Sequence, residues 1–271
     1  MRLPILQTLA LACALTLTAC ATAVPEHVAL APAARASIES TEVVAPVQQN
    51  EIYVYVPPSR GGASGGAAFG MLGAIVGATV DAAIDASNMK SATADVKPLR
   101  DALVDYNFDD KLKGELKSNL ATVDWLKVNE VRILKDTTPV SINKSITDSK
   151  NGAVLIVAGD YQLNADASAL TITLNANMFA NNAALKKHIP STAKADMVAY
   201  IGNAIYRTKL TTTVDVPGTK GDRKANMAAW SADNGKVVRV ALDNASVQLS
   251  KQLADDIQKA PEAAPAKKSK K

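Results

Sequence analysis

The stretch AVLIVAGDYQLNADASALTITLNANM, residues 153–178, decides the fold. Its first eleven residues form a mostly apolar run of strand length. NADAS then supplies turn chemistry. LTITLNANM alternates strictly: Leu170, Ile172, Leu174, Ala176 and Met178 fall on one face, and Thr171, Thr173, Asn175 and Asn177 on the other. A period of two places one face on a core and one against water, so the stretch predicts an antiparallel hairpin.

Working outward, DWLKVNEVRILK reads as a strand and SINKSITDSK as a short helix or loop. Residues 95–121 give two helical pieces. Val96, Leu99, Leu103 and Tyr106 stripe one, and Leu112, Leu116 and Leu120 stripe the other, with Asp109 or Asp110 as the cap between them. Downstream, a strand is expected within 203–216. A long amphipathic helix follows from about Lys236 to Lys259, carried by Val238, Leu242, Ala245, Leu249, Leu253 and Ile257. EIYVYVPP, residues 51–58, alternates Ile52, Val54 and Val56 with Tyr53 and Tyr55 and reads as a short strand stopped by its prolines. Strands mixed with helices predict an α/β (α+β) fold with a mixed, largely antiparallel sheet packed with helices in two or three layers. This order of elements, over roughly residues 95–259, resembles periplasmic domains related to the curli-secretion lipoprotein and the TolB amino-terminal domain. The resemblance implies a non-enzymatic part in envelope assembly or regulation.

The amino terminus speaks to location. Arg2 precedes an apolar run from Leu3 to Leu17, too short to span a bilayer and of the right length for a secretory signal. The run closes on LTAC, Leu17 to Cys20, which resembles the lipobox of bacterial outer-membrane lipoproteins. The resemblance implies a diacylglycerol on the Cys20 thiol, cleavage before Cys20 and acylation (palmitate or a similar chain) of the new amino group. Ala21, in place of aspartate, implies the outer membrane, periplasmic face. The bland alternative is an ordinary signal peptide with an unmodified thiol. Cys13 and Cys20 are the two cysteines, so the domain beyond them has no disulfide to lean on.

The net charge of +4 hints at a polyanion partner. Arg2 and the tail PEAAPAKKSKK, with four lysines against one glutamate, account for all of it, and residues 20–260 are neutral. The basic tail, residues 261–271, reads as disordered and as a possible contact for peptidoglycan, lipopolysaccharide or lipid head groups. Residues 21–50, rich in Ala, Pro, Glu, Ser and Gln, read as a flexible tether holding the domain on the order of 30 Å from its anchor.

RGGASGGAAFGMLGAIVGATVDAAID, residues 60–85, contains a second signal. On a helix, Gly62, Gly66, Gly70, Ala74, Ala78, Ala82 and Ala86 form one row, with Gly73 and Gly77 beside it. Phe69, Leu72, Val76, Val80 and Ile84 form a bulky stripe on the neighbouring face. Small-xxx-small rows let backbones approach closely. The pattern resembles the glycine-zipper segments of envelope lipoproteins. Each helical glycine costs about 1 kcal/mol against alanine, so close packing must repay it. That packing is either with membrane-embedded copies of itself or with its own domain. Asp81 sets a limit to any insertion near Val80.

No reading of chemistry survives at equal strength. His27 and His188 have no partner at ligand spacing, so no metal site is expected, and His188 reads as an exposed loop residue. GASGG, with Ser64 central, formally matches G-x-S-x-G, yet PPSRG separates it from the preceding strand and only His188 is offered as a base. The glycines lack phosphate-loop or dinucleotide spacing. Asp81 and Asp85, one turn apart, read as exposed helix carboxylates. Aromatics make up 4% of the chain and are not interleaved with basic residues, which argues against nucleic acid. The expected organisation is a signal peptide (1–19), lipidated Cys20 and tether (20–50), strand plus glycine-zipper helix (51–90), periplasmic α/β domain (91–260) and tail (261–271). The expected function is a non-enzymatic outer-membrane lipoprotein, structural or accessory in envelope assembly, integrity or secretion. It would work through the membrane, envelope proteins or self-association, with no catalytic residue, metal or cofactor beyond the covalent lipid. The alternative is an envelope hydrolase or a small-ligand-binding lipoprotein.

Overall fold

A computed structural model of the 271-residue chain describes residues 25–46, 52–55, 82–190, 199, 201–218 and 220–259, with the side chains of 82–89 left out. The predicted hairpin is the spine. Strands β4 (Ala153–Leu163) and β5 (Ala169–Ala180) pair antiparallel from Ala153↔Ala180 to Leu163↔Leu170. Leu170, Ile172, Leu174, Ala176 and Met178 are buried as the alternation requires, and their polar neighbours are half-exposed. β6 (Tyr206–Asp215) pairs antiparallel with β5. On the other side of β4, β1 (Thr41–Pro46) is parallel to it at its start, and β2 (Tyr53–Val54) is parallel to it at its end. β3 (Val128–Leu134) closes that side, parallel to β1. The order is β3-β1-β4-β5-β6. The fold is a mixed α/β sheet packed with helices. Its two longest pairings are antiparallel, and the three made by β1 and β2 are parallel.

One face of the sheet carries α2 (Ala82–Ala102), α3 (Phe108–Leu120) and α6 (Arg223–Gln258). Their stripes, including Val96, Leu99, Leu112, Leu116, Val238, Leu242, Leu249 and Leu253, meet Leu155, Val157, Leu174 and Met178 in one core. Gly159 on β4 lets α3 come close. A Cβ there would lie 3.0 Å from Leu112 Cδ2 and 3.3 Å from Phe108 Cε1. The opposite face is covered at one end by α4 (Pro139–Thr147), where Ile146 packs on Val44, Val154, Ile156 and Phe179. The described residues also hold two short α-helices, α1 (Pro32–Ala36) and α5 (Ala183–Lys186), and single 3-10 turns at Asp124–Leu126 and Ile201–Asn203.

Several expectations are corrected. The tether over residues 20–50 gives way from Val28 onward. Leu30, Ala34 and Ile38 are buried, and β1 lies inside the sheet with every residue buried. A strand covered on both faces is a short apolar run without alternation, so TEVVAP hid in an Ala/Pro-rich context. The polar break SNMKSATAD and the boundary at residue 90 fall inside α2, because Ala92, Val96 and Leu99 share one buried face while Lys90, Ser91 and Thr93 are exposed. The cap of α3 is Asn107, whose Oδ1 accepts from the Asp110 backbone N–H at 3.2 Å, not Asp109 or Asp110. The last helix begins at Arg223, and non-helical residues Ala232–Gly235 interrupt it. Asp233, Asn234 and Gly235 all have positive φ, and Gly235 (φ +67°) closes the break, a conformation that favours glycine. The expected helix from Lys236 is the second half of this element.

α6 also fixes the hairpin turn. Ala167, in the turn, has φ 55° without being glycine. Its carbonyl accepts a 2.8 Å hydrogen bond from Trp230 Nε1–H, and Trp230 is fully buried. Asn226 Nδ2 donates to the neighbouring Asp166 carbonyl at 2.8 Å. Inside the turn, Asn164 Oδ1 accepts from Ala169 N–H at 3.0 Å and Asp166 Oδ1 from Ser168 N–H at 3.1 Å.

Candidate functional site

Between α4 and the β1–β3 side of the sheet lies an open polar cleft of about 530 Å³. β1 contributes Glu42, β3 contributes Glu130 and Arg132, α4 contributes Ser141 and Lys144, and the α4–β4 loop contributes Asp148, Ser149 and Lys150. Glu42 projects from β1 beside Val44, toward the face that α4 only partly covers. It is 6% exposed, and a buried carboxylate needs partners. It has two: Arg132 Nε–H donates to Oε1 at 2.5 Å, and the Ser149 hydroxyl donates to Oε2. The loop bearing Ser149 is held by Asn181, whose Nδ2 donates to the Ser149 carbonyl at 2.7 Å and to the Asn151 carbonyl at 3.1 Å. Around this fixed centre, Lys144, Lys150, Glu130 and Asp148 stand exposed at the rim. Both Glu42 oxygens are engaged, so the charges the cleft leaves open are those at its rim.

A second recess of about 270 Å³ lies where the α2–α3 connection meets β4, lined by Tyr106, Phe108, Asp109 and Tyr161. Phe108 and Tyr161 meet edge to face at 5.0 Å. Tyr106 O–H donates to Asp243 Oδ1 at 3.0 Å, while the Arg239 guanidinium lies 5.7 Å from the Tyr106 ring centre. Burial, then the neighbouring Asp110, pushes the Asp109 carboxyl up to about 6. In an unfolded chain an aspartate titrates near 3.9. Between these values the fold binds more protons, so stability falls as pH rises from about 4 to about 6. Asp109→Asn removes that slope. Since the carboxyl is half-exposed, the variant should be more stable by about 1 kcal/mol at pH 7, and by nothing at pH 4. Urea unfolding at the two pH values measures this.

Of the residues singled out from the sequence, Cys20, Gly62, Gly66, Gly70, Gly73, Gly77, Ser64 and Asp81 lie outside the described residues, as does the tail. Asp85 lies in α2 with its side chain undescribed. His188 is half-buried after α5, rather than the exposed loop residue expected. His27 Nε2 lies 3.4 Å from Asp256 Oδ2. Among the described residues, no group of three His, Cys, Asp or Glu gathers as a metal site, and no helix is long and apolar enough to cross a membrane. Glu42 and Arg132 were missed because only parallel pairing of β1 with β3 joins positions so far apart. A comparison with known protein families finds no match, and neither does a comparison with curated proteins.

Proposed function

We propose that this chain is a lipid-anchored envelope protein, held at the periplasmic face of the outer membrane through Cys20. It serves envelope assembly, integrity or secretion by contacts with protein and membrane rather than by catalysis. The row of Gly62, Gly66 and Gly70, flanked by Gly73 and Gly77, provides a surface for close helix packing. The cleft around Glu42 supplies mixed charge for another envelope protein.

The lipobox at Leu17–Cys20 carries this reading, and the start of folded structure at Pro25 sets how closely such an anchor would hold the domain. Val28 N–H donates to the Arg207 carbonyl and Arg207 N–H to the Val28 carbonyl, both at 2.9 Å. The Arg207 guanidinium also donates to the Pro25 carbonyl. Four residues lie between Cys20 and Pro25, five steps of the chain and a reach of at most about 18 Å. An acylated Cys20 therefore seats the domain on the membrane instead of suspending it on a thirty-residue tether. Cys20→Ala should abolish palmitate labelling and move the protein from outer-membrane fractions to the soluble fraction in a density gradient. A variant that keeps the label or stays in the membrane fraction would falsify the anchor. Crosslinking of the intact protein in membranes then tests the accessory role, and recovery of monomer alone counts against it.

A further inference from the structure

The sheet ends in two strands, and the chain treats them differently. Among the described residues, β6 pairs along its length only with β5, and β3 only with β1, so each has an outer edge with backbone N–H and C=O groups to offer. The β6 edge is guarded. Val28 bridges to Arg207 at its start, and its charges are matched within the chain, Lys209 with Glu26 at 3.9 Å and Asp215 with Lys220 at 3.0 Å. The β3 edge has no such guard. Its seven residues, VNEVRIL, contain no proline. Glu130 is exposed and has no ion-pair partner among the described residues. Arg132 spends its Nε–H on Glu42, while its Nη groups donate to no described residue.

Charges on an edge strand normally discourage pairing, but their order on β3 does the reverse. Glu130 and Arg132 share one face of the sheet, on either side of Val131, and both line the Glu42 cleft. With a second β3 antiparallel to the first and Val131 opposite Val131, Glu130 falls opposite Arg132 of the second copy, and Arg132 opposite its Glu130. Val128 then faces Leu134. Opposed Cβ atoms in such a pairing stand about 5 Å apart, so both charge pairs come within reach. A register centred on residue 130 sets Glu130 against Glu130, and one centred on residue 132 sets Arg132 against Arg132. Like charges directly opposite destabilise a pairing, so the sequence selects the register centred on Val131. We infer that the β3 edge binds a second copy of this chain, joining the two sheets into one across a two-fold axis at Val131. An isologous contact of this kind closes on itself as a dimer. It goes beyond the anchor proposed above and does not depend on it.

The test is analytical ultracentrifugation of the purified full chain in detergent over a concentration series. Alongside it, p-benzoylphenylalanine in place of Asn129, an exposed residue of β3, serves as a photocrosslinker in a mixture of heavy-isotope and unlabelled chains. A monomer–dimer equilibrium is expected, with links between heavy and light chains that join position 129 to the peptide around Ile133. Glu130→Lys reverses both charge pairs at once and should weaken the dimer about tenfold to a hundredfold. Its urea midpoint as a monomer should stay unchanged, because Glu130 is exposed. Glu130→Gln removes the attraction without adding repulsion, so its dissociation constant should fall between those of the other two proteins. Monomer at every concentration, an unchanged dimer in both Glu130 variants, or heavy–light links that avoid β3 overturns the inference. None of these outcomes bears on the Cys20 anchor, which palmitate labelling reads separately.

Discussion

Trp230→Ala should lower the unfolding free energy by about 4 kcal/mol, the scale for emptying a fully buried tryptophan site. Two losses combine. The indole is 0% exposed, and its removal leaves a cavity between α6 and the sheet. The Ala167 carbonyl also loses the N–H that holds a left-handed, non-glycine residue in the β4–β5 turn. Trp230→Phe separates the two, since it keeps most of the volume and removes only the hydrogen bond, at about 1–2 kcal/mol. Urea unfolding followed by Trp125, the other tryptophan of the chain, gives both numbers. A loss under about 1 kcal/mol in the alanine variant would show that α6 does not hold the turn.

Arg132→Ala should cost about 2 kcal/mol. Removing one member of a well-buried ion pair costs more, about 3–5 kcal/mol. The arginine side chain here is 31% exposed, so water recovers part of the loss. The effect comes from Glu42, left in its buried position with Ser149 as its remaining partner. Glu42→Gln should therefore rescue it, because a neutral amide tolerates burial far better than a carboxylate. The double variant Glu42→Gln/Arg132→Ala is expected to recover at least half of the loss by chemical denaturation. If the double variant is no more stable than Arg132→Ala, the carboxylate is not the source of the cost.

The sequence made the hairpin legible because each residue's environment there depends on near neighbours. Alternation at Leu170–Met178 reports burial directly, and the Leu112–Leu116–Leu120 stripe does so for α3. β1 was illegible for the opposite reason. Val43, Val44 and Ala45 are buried by both layers at once, so they carry no period, and their Ala- and Pro-rich surroundings read as coil. Asn107 caps α3, but the sequence does not single it out, because Asp109 and Asp110 are equally good acceptors in isolation. The Glu42–Arg132–Ser149 centre was beyond reach, since it exists only once β3 and the α4–β4 loop arrive beside β1. Likewise, nothing local to His27 or Asp256 says that the two ends of the domain meet.

The central placement of β1 also bears on how the chain folds. Thr41 pairs with Val128 on one side and Ala153 on the other. The strand made first finds neither neighbour until most of the domain has been synthesised. Parallel pairings of such long sequence separation close slowly. Until then TEVVAP is a strand with both edges open and Val43, Val44 and Ala45 uncovered, the kind that invites association with other chains. The order of synthesis thus makes β1 the point of greatest risk on the way to the native sheet.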